Sequence, residues 1–313
     1  MKVSSKPATC RFGRLAVLAL SGLAIAGVSC SGANAGLVAK RPSPPTHLPS
    51  AALIDGFETP QVDRRMWWVG QAQSGQFWSD ARLARADRRS IAVRVGAAMR
   101  GCGANCQRNE IRTAPGYRMK FGQEAWYNFS FRMDGKLPAG NTRRWVSGQW
   151  KQQCGGSPFL AQRFDRGVFQ ITVQDNNCRV IVASSQGLGQ KLPTTLATGH
   201  GAVGGSKGGH SCRSDVKVEY SATPTLPNPY GKWVDMSYRV RGGRNGKGLV
   251  EIWANGRFIA RVTGSIGYDY ASGPQQYFKF GIYRAPTPGA SVVRIDRFRR
   301  TDSMSNYKQI DGS

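Results

Sequence analysis

Across residues 52–302 apolar and polar side chains alternate in short runs, and no stretch holds a helical period for three turns. The runs fall at 91–95, 125–133, 167–173, 180–183, 233–240, 249–254, 258–262 and 292–298, each bounded by Gly, Pro, Asn or Asp. A period of two sends successive side chains to opposite faces of an extended chain, so each run has one face to bury and one to show to water. Many such runs with turn residues between them specify an all-β sandwich or barrel. About 250 residues suit one domain of that kind, and no internal repeat, coiled coil or second domain is visible. The pair Asn255-Gly256 predicts a two-residue type I′ turn, which needs positive φ at both central positions. It sets the register of its flanking runs, with Val250 and Ile252 on one face and Glu251, Trp253 and Asn255 on the other.

Residues 277–284 read Tyr-Phe-Lys-Phe-Gly-Ile-Tyr-Arg. Alternation sends Phe278, Phe280 and Ile282 to a core and gathers Tyr277, Lys279, Gly281 and Tyr283 on the other face. A solvent face needs no such composition, whereas a phenol beside a cation is how a protein makes a strong oxygen base. The same alternation groups Arg108, Glu110 and Arg112 in residues 107–112, and Trp145, Ser147, Gln149 and Lys151 in residues 145–151. Trp145 and Trp150 then face opposite ways, so at most one lines a cleft. Trp67, Trp68, Trp126, Trp233 and Trp253 are expected in the core.

Taken in order, Arg108-Asn109-Glu110-Ile111-Arg112, Gln149-Trp150-Lys151 and the run from Tyr277 to Tyr283 resemble three signatures of the β-jelly-roll polysaccharide lyases. These are Arg-x-Glu-x-Arg, Gln-x-His and Tyr-x-Lys-x-Gly-x-Tyr, in a group that includes alginate lyases, glucuronan lyase and the heparin lyase I type. Residues 248–256 are also similar to a strand and turn of the heparin-lyase-like members. The resemblance covers roughly residues 52–300 and departs at one position, Lys151, where the family has histidine. It implies a two-sheet, concanavalin-like β-jelly roll that cuts an acidic polysaccharide by β-elimination, with no cofactor and no metal.

Elimination next to a uronate divides into three tasks. The carboxylate is neutralised, a base removes the C5 proton, and the C4 oxygen leaves with a proton. Preorganised cations and amides serve the first task, and a phenol can serve the other two. The resemblance implies Tyr283, Gln149, Arg108 and Lys279 as catalytic residues and Arg112, Lys151, Tyr277 and Glu110 as substrate-binding residues. Tyr283 would be base and acid, with Lys279 supporting its phenolate. Gln149 would donate to the carboxylate, Lys151 would neutralise charge as a compact ammonium, and Glu110 would orient the arginines. The alternative base is His200 or His210, in the Gly-rich segment 184–215, which reads either as a lid or as a disordered insertion.

Two rival functions stand beside this reading. A jelly-roll glycoside hydrolase needs two carboxylates flanking the bond. The chain after residue 35 has only five glutamates, Glu58, Glu110, Glu124, Glu219 and Glu251, with no closely spaced Glu-x-Asp-x-x-Glu run. A non-catalytic carbohydrate-binding or envelope protein on the same fold is the second rival, and Lys151 keeps it open.

The N-terminal residues place the protein outside the cell. Lys2, Lys6, Arg11 and Arg14 precede an apolar run from Leu15 to Val28 and a small-residue cleavage site at Ala33-Asn34-Ala35, so residues 1–35 read as a secretory signal. The run is too short for stable membrane insertion. Cys30 offers a lipid anchor as the alternative. Residues 36–51, with four prolines, read as a linker, 52–305 as the domain and 306–313 as a tail. Loss of the signal removes four basic residues and no acidic one, which lowers the charge from +26 to +22. A polycation favours polyanionic partners, and export leaves acidic polysaccharide rather than nucleic acid. A secreted or periplasmic monomer is expected. The remaining cysteines, Cys102, Cys106, Cys154, Cys178 and Cys212, suit disulfides in an oxidising compartment. Cys102–Cys106 closing a small loop before Arg108 is one option, and zinc held by Cys102, Cys106, His210 and Cys212 is another.

Overall fold

Alternation becomes strand at each of the runs above. In a computed structural model the described residues are 52–71, 76–99, 105–134, 145–187, 195–197, 212–269, 271 and 273–302. All belong to the unit His47–Ser313, one of the two into which the chain divides. The signal with Cys30, the linker, the tail, Cys102, His200 and His210 lie outside the described residues.

The strands are β1 (Leu53–Asp55), β2 (Trp67–Gln71), β3 (Phe77–Asp80), β4 (Ser90–Val95), β5 (Gln107–Thr113), β6 (Met119–Lys120), β7 (Ala125–Asp134), β8 (Trp145–Gln152) and β9 (Leu160–Asp165). They continue as β10 (Val168–Asp175), β11 (Cys178–Ser184), β12 (Thr195–Ala197), β13 (Lys217–Tyr220), β14 (Val234–Arg241), β15 (Gly243–Ala254), β16 (Arg257–Ile266), β17 (Gln275–Arg284) and β18 (Ser291–Thr301). Strand β12 gives the Gly-rich segment 184–215 one short pairing, with β11.

Two antiparallel sheets of nine strands result. The back sheet runs β13-β16-β15-β14-β7-β18-β4-β3, with β1 on β18, and the front sheet runs β12-β11-β10-β9-β8-β17-β5-β2, with β6 on β17. This is an all-β sandwich, as the alternation predicts, and the two-sheet jelly roll that the resemblance implies. The apolar faces meet between the sheets, where Trp150 and Phe278 of the front sheet pack against Tyr238 and Phe298 of the back sheet. Ring centres lie 4.8 Å apart for Trp150–Tyr238 and 5.4 Å for Phe278–Phe298. Phe280 and Ile282 are buried in the same core. The turn after β15 has Asn255 at φ 48° and Gly256 at φ 75°. Its register, Ala254 opposite Arg257, is that of a two-residue hairpin.

Bulges correct the simple alternation. Val146 pairs with Arg163 and Gly148 with Gln162, so Ser147 is an extra residue in β8. The strand's face flips there. Trp145 therefore lies opposite Arg284 and Phe164 and is buried in the core, not beside Gln149 and Lys151 as expected. Trp150 is in the core as well, so neither tryptophan is available to a sugar. Trp126 is buried as expected, whereas Trp233 and Trp253 are half-buried; Trp126 and Trp253 stack on each other at 5.7 Å beside the central cluster, with Arg239 over Trp126. Both sit on the polar-parity face of the back sheet, so the pair shields its strands there.

A disulfide joins Cys178 to Cys212 across 34 residues, and Cys106 and Cys154 are disulfide-bonded too. These bonds occupy two of the four proposed zinc ligands. Among the described residues no helix is long and apolar enough to cross a membrane.

Candidate active site

Strand β17 lies at the middle of the front sheet, and its two neighbours carry the other two motifs. Pairing with β5 sets Tyr283 opposite Arg108, Gly281 opposite Glu110 and Lys279 opposite Arg112. Pairing with β8 sets Lys279 opposite Gln149 and Tyr277 opposite Lys151. Trp68 of β2 faces Arg112. Residues directly opposite share a face, so segments far apart in sequence, Glu110 and Lys279 by 169 positions, form one patch on the outer side of the front sheet.

Gly281 explains its place in the motif. Its φ is +131°, and a Cβ there would lie 2.2 Å from the carbonyl oxygen of Asn109. Strand β17 bulges at this point, since Phe280 pairs with Gly148 and Tyr283 with Val146. A glycine permits both the backbone angle and the close approach. It also leaves the space beside Glu110 free of a side chain.

Glu110 uses that space as a hub. Its Oε1 accepts a hydrogen bond from Gln149 Nε2, and its Oε2 lies 3.2 Å from Lys279 Nζ. Arg108 Nε is 3.0 Å from the same Oε2 but not aligned as a hydrogen bond, so that contact is ionic. Glu110, Gln149 and Lys279 are 2%, 3% and 4% exposed. They form a floor, and two cations on one carboxylate leave it net positive. A buried charge is tolerated when it is paired and hydrogen-bonded, and Glu110 meets that condition from three sides.

Half-buried groups form the rim. The Arg108 guanidinium carbon lies 4.2 Å from the centre of the Tyr283 ring, a cation–π contact that ties the phenol to the hub. Lys151 donates to the carbonyl oxygens of Gly155 and Gly156. Burial, and then the Lys279 ammonium, pushes its pKa down to about 7 against the pull of Glu110. Lys279 is also lowered by burial, with Glu110 as the main opposing influence. Arg163 of β9 donates to Thr172 at 2.9 Å and adds its charge near Lys151.

Every residue assigned to the site from sequence lies on this patch. Arg108, Gln149 and Lys279 each touch Glu110, Tyr283 touches Arg108, and Arg112 and Tyr277 stand one pair further along. Glu110 contacts Arg108, but the arginine it was also expected to orient, Arg112, has no salt bridge to it among the described residues. Arg112 instead lies over Trp68, 3.8 Å from the ring centre. Trp68 is thus half-buried at the patch and not in the core, while Trp67 is fully buried. Sequence reading missed Trp68, Arg118 and Arg163. Trp68 belongs to an edge strand too short to show alternation, Arg163 to a strand the apolar runs do not mark, and Arg118 follows a turn.

The front sheet of this all-β jelly roll thus presents a cationic, amide-bearing patch with two phenols. The chain belongs to a polysaccharide lyase family, whose profile, described as Polysaccharide lyase, matches residues 59–299. No curated protein sequence matches it. Among solved structures, alginate lyase A1-II′ is similar at 14% identity and TM-score 0.47, covering 77% of this chain and 96% of that one. Cellulose induced protein Cip1 is similar at 16% and 0.46, over 80% and 97%. The endo-β-1,4-glucuronan lyase of the fungus Trichoderma reesei is similar at 12% and 0.45, over 76% and 91%.

Proposed function

We propose that the protein is a secreted lyase that cuts an anionic, uronate-containing polysaccharide by β-elimination. The observation that carries this reading is the Glu110 hub, which holds an amide, an ammonium and a guanidinium in one fixed array beside a phenol. Such an array suits the charge that grows on a uronate carboxylate when C5 loses its proton. Donors fixed beforehand stabilise that charge without reorganising. Gln149 keeps a second N–H for the carboxylate, and Arg108 and Lys279 supply positive charge.

Tyr283 is base and acid in this scheme. Its oxygen takes the C5 proton, the electron pair forms the C4–C5 double bond, the C4–O4 bond breaks, and the phenol returns a proton to O4. No water is consumed, and the new non-reducing end is unsaturated. One oxygen reaches both sites when the C5 proton and O4 share a ring face, which makes the elimination syn. Arg108 on the ring face holds the phenol at the hub. A glycoside hydrolase would need a second carboxylate at the patch, whereas Glu110 already serves three partners.

The test is a panel of acidic polysaccharides followed by the near-ultraviolet absorbance of an unsaturated uronate. A rise with at least one uronate polymer, abolished in Tyr283→Phe, is expected. Reducing ends appearing without that absorbance would mean hydrolysis and would sink the reading.

A further inference from the structure

After β5 the chain loops out through a 3₁₀ turn, Pro115–Tyr117, and rejoins the same edge of β17 as β6, where Met119 pairs with Gln276. That register brings Arg118 alongside Tyr277, and its guanidinium carbon lies 5.1 Å from the ring centre. Arg112 of β5, on the same edge of β17, reaches the same ring at 5.5 Å and lies 3.8 Å from the Trp68 ring centre. Two like charges thus share one phenol. Neither arginine has a salt bridge among the described residues, and the Nε of each is buried with no hydrogen-bond partner. Burial, and then Arg112, lowers the pKa of Arg118, as two dehydrated cations side by side require. At the hub Glu110 offsets part of the positive charge; among the described residues no carboxylate pairs with either of these arginines.

We propose that Arg112 and Arg118, with Tyr277 between them and Trp68 against Arg112, form a second anion subsite. It takes the carboxylate or sulfate of a sugar unit flanking the one that is cut. The aromatic rings engage the guanidinium faces and hold them in place, which leaves the in-plane N–H donors for a planar or tetrahedral oxyanion. Arg112 stands four residues along β5 from Arg108, about 13 Å at strand rise, so both ends cannot serve one pyranose ring. The preferred substrate therefore carries anionic groups on neighbouring units, as in a contiguous polyuronate or a sulfated uronate polymer. This inference rests on the reading of the patch as a glycan cleft, but not on its chemistry.

The experiment uses the full chain carrying Tyr283→Phe, so that oligosaccharides stay intact, and titration calorimetry with three hexasaccharides. One is contiguous uronate, one alternates uronate with a neutral sugar, and one alternates uronate with a sulfated sugar. The contiguous or the sulfated probe, or both, should bind about tenfold or more tighter than the neutral-alternating one, the worth of one charge-assisted contact. Whichever probe gains identifies carboxylate or sulfate as the ligand. Arg118→Gln should bring that ratio to within about twofold, and Arg118→Lys should restore only part of it. Because a ratio is read, a variant that folds poorly lowers all arms together. Equal binding of the three probes, no binding of any, or a ratio untouched by Arg118→Gln overturns the subsite. Turnover by the unmodified protein is scored apart. An Arg118-dependent ratio without turnover keeps the subsite and sinks the lyase chemistry, and turnover with an indifferent ratio does the reverse.

Discussion

Replacing Glu110 by glutamine keeps the volume of the hub and removes its charge. The pair it forms with Lys279 has side-chain exposures of 6% and 2%, so the ammonium left behind has almost no water to turn to. Breaking a buried pair from one side costs about 3–5 kcal/mol. Glutamine still offers one acceptor, which places the loss near the lower end, about 3 kcal/mol. For a domain of this size that is a fall in Tm of roughly 6–12 °C. Guanidinium unfolding followed by tryptophan fluorescence, with disulfides intact, measures it directly. Adding Lys279→Met removes the orphaned charge and should recover at least half of the loss, since exchanging a whole buried pair for apolar groups is often neutral. The pH dependence has a definite sign. Lys279 already has a folded pKa below its ordinary value of 10.5, through burial opposed by Glu110. Without Glu110 it falls further, and the unfolded chain then binds more protons than the folded one over a wider interval. Stability rises with pH across that interval, so the deficit of the single variant should shrink as pH climbs toward 10.5. A loss below about 1 kcal/mol, as for an exposed pair, a deficit that grows with pH, or no recovery in the double variant would refute the hub.

Tyr283→Phe should remove nearly all turnover while oligosaccharide affinity stays within a few fold, since its oxygen works in the transition state; His200→Ala and His210→Ala should both stay near full activity, and loss in either moves the base to that segment. Lys151, at about 7, gives up its ammonium as pH rises through neutrality. Polyanion affinity should therefore fall across that range, with the step absent in Lys151→Met and the affinity held in Lys151→Arg. The fold itself gains stability from the same group as pH rises from about 7 toward 10.5, where the unfolded chain still binds the proton. Binding and kcat/KM should also drop steeply between low and physiological salt, where screening shortens to ~8 Å; indifference to salt would point to a neutral glycan.

The parity of single strands was legible in the sequence, and with it much of the patch. Tyr277, Lys279, Gly281 and Tyr283 needed only a period of two, and so did Arg108, Glu110 and Arg112. Bulges were not legible. The extra residue at Ser147 breaks the count for Trp145 while Gln149 and Lys151, on its far side, keep their predicted face. Who touches whom was also hidden, because it depends on register between distant strands. Glu110 reads as a partner for two flanking arginines, yet its strongest partners come from β17 and β8. Arg118 carried no signal at all, since its position follows from the loop between β5 and β6, whose pairing with β17 is non-local. Trp68 and Trp67 are adjacent and chemically equal in sequence, and only the packing of β2 on the sheet edge separates core from patch.

The Cys178–Cys212 bond holds the ends of a 34-residue span at a Cα separation of 5.4 Å. Those ends belong to the approach to β13 and to the start of β11, in opposite sheets. Closing a longer loop between fixed ends costs only about 0.6 kcal/mol for each doubling of its length. Between β12 and Cys212, outside the paired strands, residues can therefore be inserted or deleted with little penalty to the sandwich. Among descendants of this chain, that span is where length variation should accumulate first, ahead of any change in the strands that carry the patch.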